Sequence, residues 1–397
     1  MWISSFRKRC VEIEDAVFSG LLSFYPEERL LNREKFAAAK RDGVISFSEL
    51  KSESETLFIP WQMFFLNSTK LKKQLNNIES NRADKISLSF MSRRPGRRGA
   101  FSMRLIDKFV RIQSFLTLNS SFPINQFPGS LKDLSVPDSV NKILEYFSID
   151  IEFFRTRRTV KMAIDYLIDC LAKKNINVAQ GTTAYGLMPR TESHAPLYKN
   201  LSGFCLKDAR VPFIYLSTNE VSDEEPVGRQ IYTLIYLISM IGLDIYSLAI
   251  KAKSVIKIAG GDRRSNLANE ITSELLMPKE KMEEYRHRNV TQDDLKAMCL
   301  KYKVTPRAAL YRLKKERIIN QQEYDDLIEE NPYIPSPPPP NGPKLETSVK
   351  KLVGELVFGV TNNLVGNKTI SPVQAQIIMF GRPDTRKWIG YRSNLGI

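Results

Sequence analysis

Apolar residues along this chain concentrate in residues 228–243, GRQIYTLIYLISMIGL, where Arg229 is the only charged side chain. A helix apolar on every side is one packed inside a core rather than lying on a surface. Residues 202–218, SGFCLKDARVPFIYLST, lie upstream of it and residues 266–278, NLANEITSELLMP, lie downstream. The short β-branched and aromatic runs 176–178 and 213–216 are bounded by turns and predict a small antiparallel sheet, approached by a hairpin through Gly203-Phe204 and Arg210-Val211-Pro212. Amphipathic spacing predicts helices over 101–118 and 138–147. A further helix of about four turns follows Arg155-Thr156-Arg157-Arg158, ends near Lys173-Lys174 and feeds a strand at 177–180.

The pattern changes beyond Pro278. Residues 291–319 have the shape of a helix-turn-helix, with a helix over 295–302, a turn at Lys303-Val304-Thr305 and a second helix over 306–316. Thr305 suits the cap of that helix and Pro306 its first position. The second helix displays Arg307, Arg312, Lys314 and Lys315, with Ala309, Leu310 and Leu313 turned inward. A Pro-rich linker spans 331–343. The tail from Lys344 predicts one amphipathic helix over 348–363 and a second begun by Ser371 as cap and Pro372 as first residue. Alone, so short a segment cannot bury a core, so it folds back on the body or docks on a partner.

At 397 residues, 42% hydrophobic and 26% charged, the composition is that of a globular protein of two or three domains. The net charge of +15 points to nucleic acid, an acidic protein or an anionic surface as partner. Its densest positive run, residues 92–99, holds Arg93, Arg94, Arg97 and Arg98 around Pro95 and Gly96. Pro and Gly predict an exposed loop there, and four guanidinium groups so close together suit phosphate contact as well as plain solvation. The four cysteines, Cys10, Cys170, Cys205 and Cys299, show no C-x-x-C spacing, which fits a reducing cytosol. Acidic Glu12, Glu14 and Asp15 break the apolar core a secretion signal needs. The one stretch of membrane-spanning length, 231–250, is interrupted by Gly242 and Asp244 and reads as a core segment.

Three features together carry a resemblance: Thr233-Leu234 in the central helix, the Ala268-Asn269 pair, and the run Glu274-Leu275-Leu276-Met277-Pro278. In order and spacing they resemble the ImmA/IrrE family of zinc metallopeptidases, whose central helix reads roughly R-x-x-F-T-L-A-H-E-L-x-H-x-L. The resemblance implies an α+β, mostly helical fold with a zincin-like core and a small antiparallel sheet. It also implies that the first zinc histidine falls on Tyr236, the glutamate base on Leu237 and the second histidine on Met240, with the third ligand near Ser265 or Leu267. None of these five residues supplies what a catalytic zinc requires, which is three protein donors and one open position for water. The two histidines of the chain, His194 and His287, are too far apart in sequence to form the i, i+4 pair. His194, in the polar run Thr191-Glu192-Ser193, reads as a surface residue.

On this resemblance, residues 1–66 are a degenerate Xre-like helical domain. Its last helices start at Ser46, and Ile59-Pro60-Trp61 with Phe64-Phe65-Leu66 dock on its core. Residues 67–154 are a connector and helical platform, 155–290 a pseudo-metallopeptidase domain, 291–330 the helix-turn-helix-like unit and 344–397 a helical extension. The function implied is a non-catalytic cytoplasmic regulator of a mobile-element, toxin–antitoxin or phage-defence system. It would bind a protein partner, a toxin or an Xre-type repressor, without any cofactor or metal and away from the membrane. The alternatives are a DNA-binding regulator using the loop at Arg93–Arg98 and the helix over 306–316, and an active peptidase with an atypical site.

Overall fold

A computed structural model describes residues 2–6, 9–24, 34–56, 59–86, 97–181, 201–217, 227–251, 256–258, 263–330, 344–381 and 384–395. The chain forms two compact units, Met1–Phe115 and Leu116–Ile397. Both combine helices with a small sheet, so the protein is α+β and mostly helical.

In the first unit β1 (Trp2–Phe6) pairs antiparallel with β2 (Arg9–Ile13), and β3 (Val44–Ser46) runs parallel to β1. The all-helical expectation for this region is therefore corrected: Trp2–Phe6 and Arg9–Ile13 register residue for residue, Trp2 opposite Ile13 and Phe6 opposite Arg9. Helices α1 (Asp15–Phe24), α2 (Glu34–Asp42), α3 (Phe47–Thr56) and α4 (Ser68–Lys85) follow, with a 3-10 turn at Trp61–Phe65. Ser46 starts α3 as expected: its Oγ accepts from Glu49 N–H while Glu49 accepts from Ser46 N–H, each satisfying an otherwise orphaned donor. Ile59 and Phe64 are buried against Val17, Phe18, Phe36 and Leu50, the docking predicted for that tail. α5 (Arg97–Leu118) extends the predicted amphipathic helix to its N-terminal side. Arg97, Arg98 and Gly99 are thus helical rather than loop, because only Pro95 and Gly96 act as breakers and an interior glycine costs about 1 kcal/mol. Arg93 and Arg94 lie outside the described residues.

The second unit opens with α6 (Val136–Tyr146), α7 (Ile151–Thr156) and α8 (Val160–Ala172). Its sheet comprises β4 (Asn177–Gln180), β5 (Leu201–Leu206), β6 (Phe213–Leu216), β7 (Leu248–Lys251) and β8 (Ile256–Ile258), in the order β4-β6-β5-β7-β8. The predicted strands at 177–180 and 213–216 form and the β5–β6 hairpin joins them, but β4 runs parallel to β6. The sheet is mixed, not purely antiparallel. Strands β4, β5 and β6 are buried along their whole length, covered on both faces, and so read as continuous apolar runs.

α9 (Val227–Gly242) is the apolar helix at the centre, and α10 (Arg263–Leu276) packs along it. The apolar stretch 231–250 splits: the helix ends at Gly242, Asp244 takes a left-handed conformation (φ 59°), and the remainder enters β7. Among the described residues no helix is long and apolar enough to cross a membrane. After α11 (Lys279–Met282), α12 (Gln292–Tyr302) and α13 (Pro306–Lys315) form the predicted helix pair, closed by α14 (Gln321–Glu329). Thr305 caps α13 by accepting from Ala308 N–H at 3.3 Å, with Pro306 in the first turn.

The tail departs from the predicted single helix over 348–363. Gly354 (φ 89°) divides it into α15 (Leu345–Val353) and α16 (Glu355–Gly366), followed by α17 (Pro372–Phe380) and α18 (Thr385–Leu395). α17 starts from a Ser371–Gln374 capping box, as its sequence predicts. This extension folds back on the body of its own unit at β4.

Candidate functional site

α9 carries the positions with most chemical interest, and three glycines explain how its neighbours approach it closely. A Cβ at Gly203 of β5 would overlap the Tyr215 carbonyl of β6 and stand 3.0 Å from Leu237 Cδ1 of the helix, so glycine fits where a side chain would not. A Cβ at Gly242 would overlap Leu131 and come within 3.1 Å of Phe127, and one at Gly228 would meet the backbone of Lys303 and Val304. Close approach of a strand, a loop and a turn buries the helix at every position from Thr233 to its end.

Tyr236, Leu237 and Met240 are consequently each 0% exposed, in one core with Ala268, Ile271 and Leu275 of α10. Leu267 packs half-buried against the same core. Ser265 falls in the first turn of α10, and its side chain lies outside the described atoms. The structure thus gathers Tyr236, Leu237, Met240 and Leu267 into one hydrocarbon region. Among the described residues, no group of three His, Cys, Asp or Glu side chains stands where it could hold a metal ion. His194 lies outside the described residues.

The seam between α9 and α10 has one polar contact that the sequence did not single out. Tyr232 Oη lies 3.1 Å from Ser273 Oγ and donates toward Asn269 Oδ1 at 3.3 Å. Burial pushes the Tyr232 hydroxyl up to about 12, so it stays protonated as a donor. The available signal was its spacing, one turn before Tyr236, opposite the Ala268-Asn269 pair. Ser239 and Thr272 satisfy themselves locally, donating to the carbonyls of Ile235 and Ala268 one turn back. Cys205, buried beside Ile245 O, and Cys299 are both pushed up to about 12 by burial, which makes them inert thiols.

The basic residues of α13 are placed differently from their predicted display. Arg312 is 4% exposed, with one guanidinium nitrogen 2.5 Å from Glu274 Oε2 and another 3.0 Å from Glu316 Oε1. It staples α13 to α10 and is not available to a groove-reading face, because Leu310 and Leu313 on either side of it set the buried stripe of the helix. Lys315 pairs with Glu270 of α10 at 3.2 Å, and Lys314 donates to Gln321 and lies 4.9 Å over the Tyr324 ring. Arg307 is exposed in the first turn. Arg97 and Arg98 are in the first turn of α5, with side chains outside the described atoms.

A scan against protein-family models and comparisons with curated proteins and with solved structures each return no match for this chain.

Proposed function

We propose that the chain is a non-catalytic regulator that binds a protein partner through an ImmA/IrrE-like, zincin-derived core. The observation that supports this reading is the complete burial of Tyr236, Leu237 and Met240. Where the sequence resemblance would put two imidazoles and a carboxylate base around an ion, hydrocarbon and phenol fill the space between α9 and α10. Hydrolysis by that route needs three donors and a water-accessible position, and neither is supplied by these side chains.

Recognition without cleavage remains compatible with the sheet. An extended peptide can add to a sheet edge, its backbone giving affinity and its alternate side chains selectivity. At one end of the sheet β4 carries the C-terminal helices, whereas β8 at the other end pairs, among the described residues, with β7 alone. We assign partner binding to the β8 end. The partner is a toxin or an Xre-type repressor of a mobile-element, toxin–antitoxin or phage-defence system.

The test is coexpression of the tagged full chain with the product of the adjacent gene, followed by size-exclusion chromatography and mass spectrometry. A stoichiometric complex with an intact partner is expected. Chelator-sensitive clipping of the partner, or no complex at micromolar concentrations, overturns the reading.

A further inference from the structure

The net charge of +15 has to be carried somewhere, and α13 neutralises much of its own share internally. The junction between α7 and α8 does not. There Arg157, Arg158 and Lys161 follow one another within a turn and a half of chain, Arg158 and Lys161 exposed and Arg157 half-buried. Among the described residues none of the three meets a carboxylate. The nearby acids are engaged elsewhere: Glu152 with Arg155 at 2.6 Å, Asp150 capping α7, and Asp165 facing Lys351 at 3.6 Å.

Apolar groups stand among these cations. Phe153 is 41% exposed and Met162 46% exposed, so apolar surface lies directly beside the cations. The Arg157 guanidinium carbon lies 3.4 Å from the centroid of the Phe153 ring, a separation that requires it to lie face-on, and its Nε donates to Phe153 O. The Tyr166 ring supports Phe153 from its edge, with centroids 5.0 Å apart. The result is a layered contact, guanidinium over phenyl, held by the Nε hydrogen bond and flanked by Arg158 and Lys161. α8 also begins here, and the positive end of its dipole adds to the same field.

We infer that this junction is a binding surface for single-stranded nucleic acid, with Arg158 and Lys161 on phosphates and the Arg157–Phe153 platform under a base. A duplex offers phosphates but no open base face, so it would leave the platform unused. An anionic vesicle would be drawn by the charge alone, without need of a layered ring and guanidinium. The chemistry that uses every observed part is a phosphodiester backbone with unpaired bases.

The experiment is fluorescence anisotropy of the full-length protein with labelled 12-nucleotide single strands, across a salt series. The variant R157Q/R158Q/K161Q is compared with K70Q/K72Q/K73Q, which removes the same charge from the exposed face of α4. The junction variant should bind at least tenfold more weakly and flatten the log–log salt slope by about 1.4, from two lost phosphate contacts. The α4 variant should stay within about twofold of wild type. Phe153→Leu, which keeps an apolar side chain but removes the ring, should cost roughly tenfold. The inference is overturned by no binding at low salt, by equal losses in both triple variants, by a duplex of the same length binding as tightly, or by phosphatidylglycerol vesicles binding where oligonucleotides do not.

Discussion

Asn177 and Gly354, 177 positions apart in the chain, meet in the interior of the second unit. The Asn177 amide donates to Val353 O at 2.9 Å, and its Oδ1 accepts from Leu356 N–H at 3.2 Å and Val357 N–H at 3.4 Å. One fully buried side chain thus satisfies the last carbonyl of α15 and the first donors of α16, the groups a helix break leaves orphaned. A Cβ on Gly354 would fall 2.6 Å from Asn177 Cγ, and its φ of 89° is a conformation L-residues rarely adopt. Gly354→Ala should therefore lower stability by roughly 2–3 kcal/mol through strain and overlap together. Asn177→Ala should cost about 1–3 kcal/mol by stranding these groups. Hydrogen exchange should show early opening of α15 and α16 in both variants, and a protection pattern like that of wild type would refute the account.

Introducing an H-E-x-x-H motif into α9 should fail to create a metal site. Tyr236→His, Leu237→Glu and Met240→His together place polar groups where exposure is 0%, and Ser265 and Leu267 at the start of α10 carry no carboxylate. No zinc uptake is expected by calorimetry. Leu237→Glu alone should lose about 3–5 kcal/mol in urea unfolding, the cost of an uncompensated buried charge. Met240→Ala should lose about 2–5 kcal/mol through the cavity it leaves.

Arg312 should behave as a structural residue. Its replacement by alanine leaves Glu274 and Glu316 facing each other without their shared cation, at a cost of about 3 kcal/mol. Lys314→Ala, with its side chain only half-buried, should cost under about 1 kcal/mol. Urea midpoints for the two variants distinguish this from a surface role, which predicts small and similar losses for both.

Lys108 gives a pH dependence of defined sign. Burial, with the nearby Arg111 charge, lowers its ammonium to about 8 in the folded protein. Between about 8 and 10.4 the unfolded chain binds the extra proton, so this group makes stability rise with pH across that window. Below the folded value the penalty for a buried charge is fully present. Lys108→Met should accordingly be more stable than wild type at neutral pH by roughly 3 kcal/mol, with the difference vanishing toward pH 10.5. Comparing the two proteins at each pH cancels the opposing contribution of thiols such as Cys205, whose ionisation in the unfolded chain weakens folding above pH 9. A difference that does not change with pH would remove Lys108 as its source.

Local signals fixed what local chemistry controls. The starts of α13 at Thr305-Pro306 and of α17 at Ser371-Pro372, the bounds of β4 and the apolar character of α9 follow from neighbours within one turn or one strand. Capping, proline placement and periodicity act over three or four residues, so the sequence carries them directly. The candidate site was legible only as a set of positions: Tyr236, Leu237 and Met240 are apolar or phenolic whatever surrounds them. The inward turn of Arg312, the parallel pairing of β4 with β6, the β1–β2 hairpin and the break at Gly354 depended on distant partners. For Arg312 and the break at Gly354 the deciding term was a buried polar group finding its complement, a kilocalorie or more that outweighs propensities of a few tenths, and for the two sheets it was pairing with a strand distant in sequence or not legible in the local pattern.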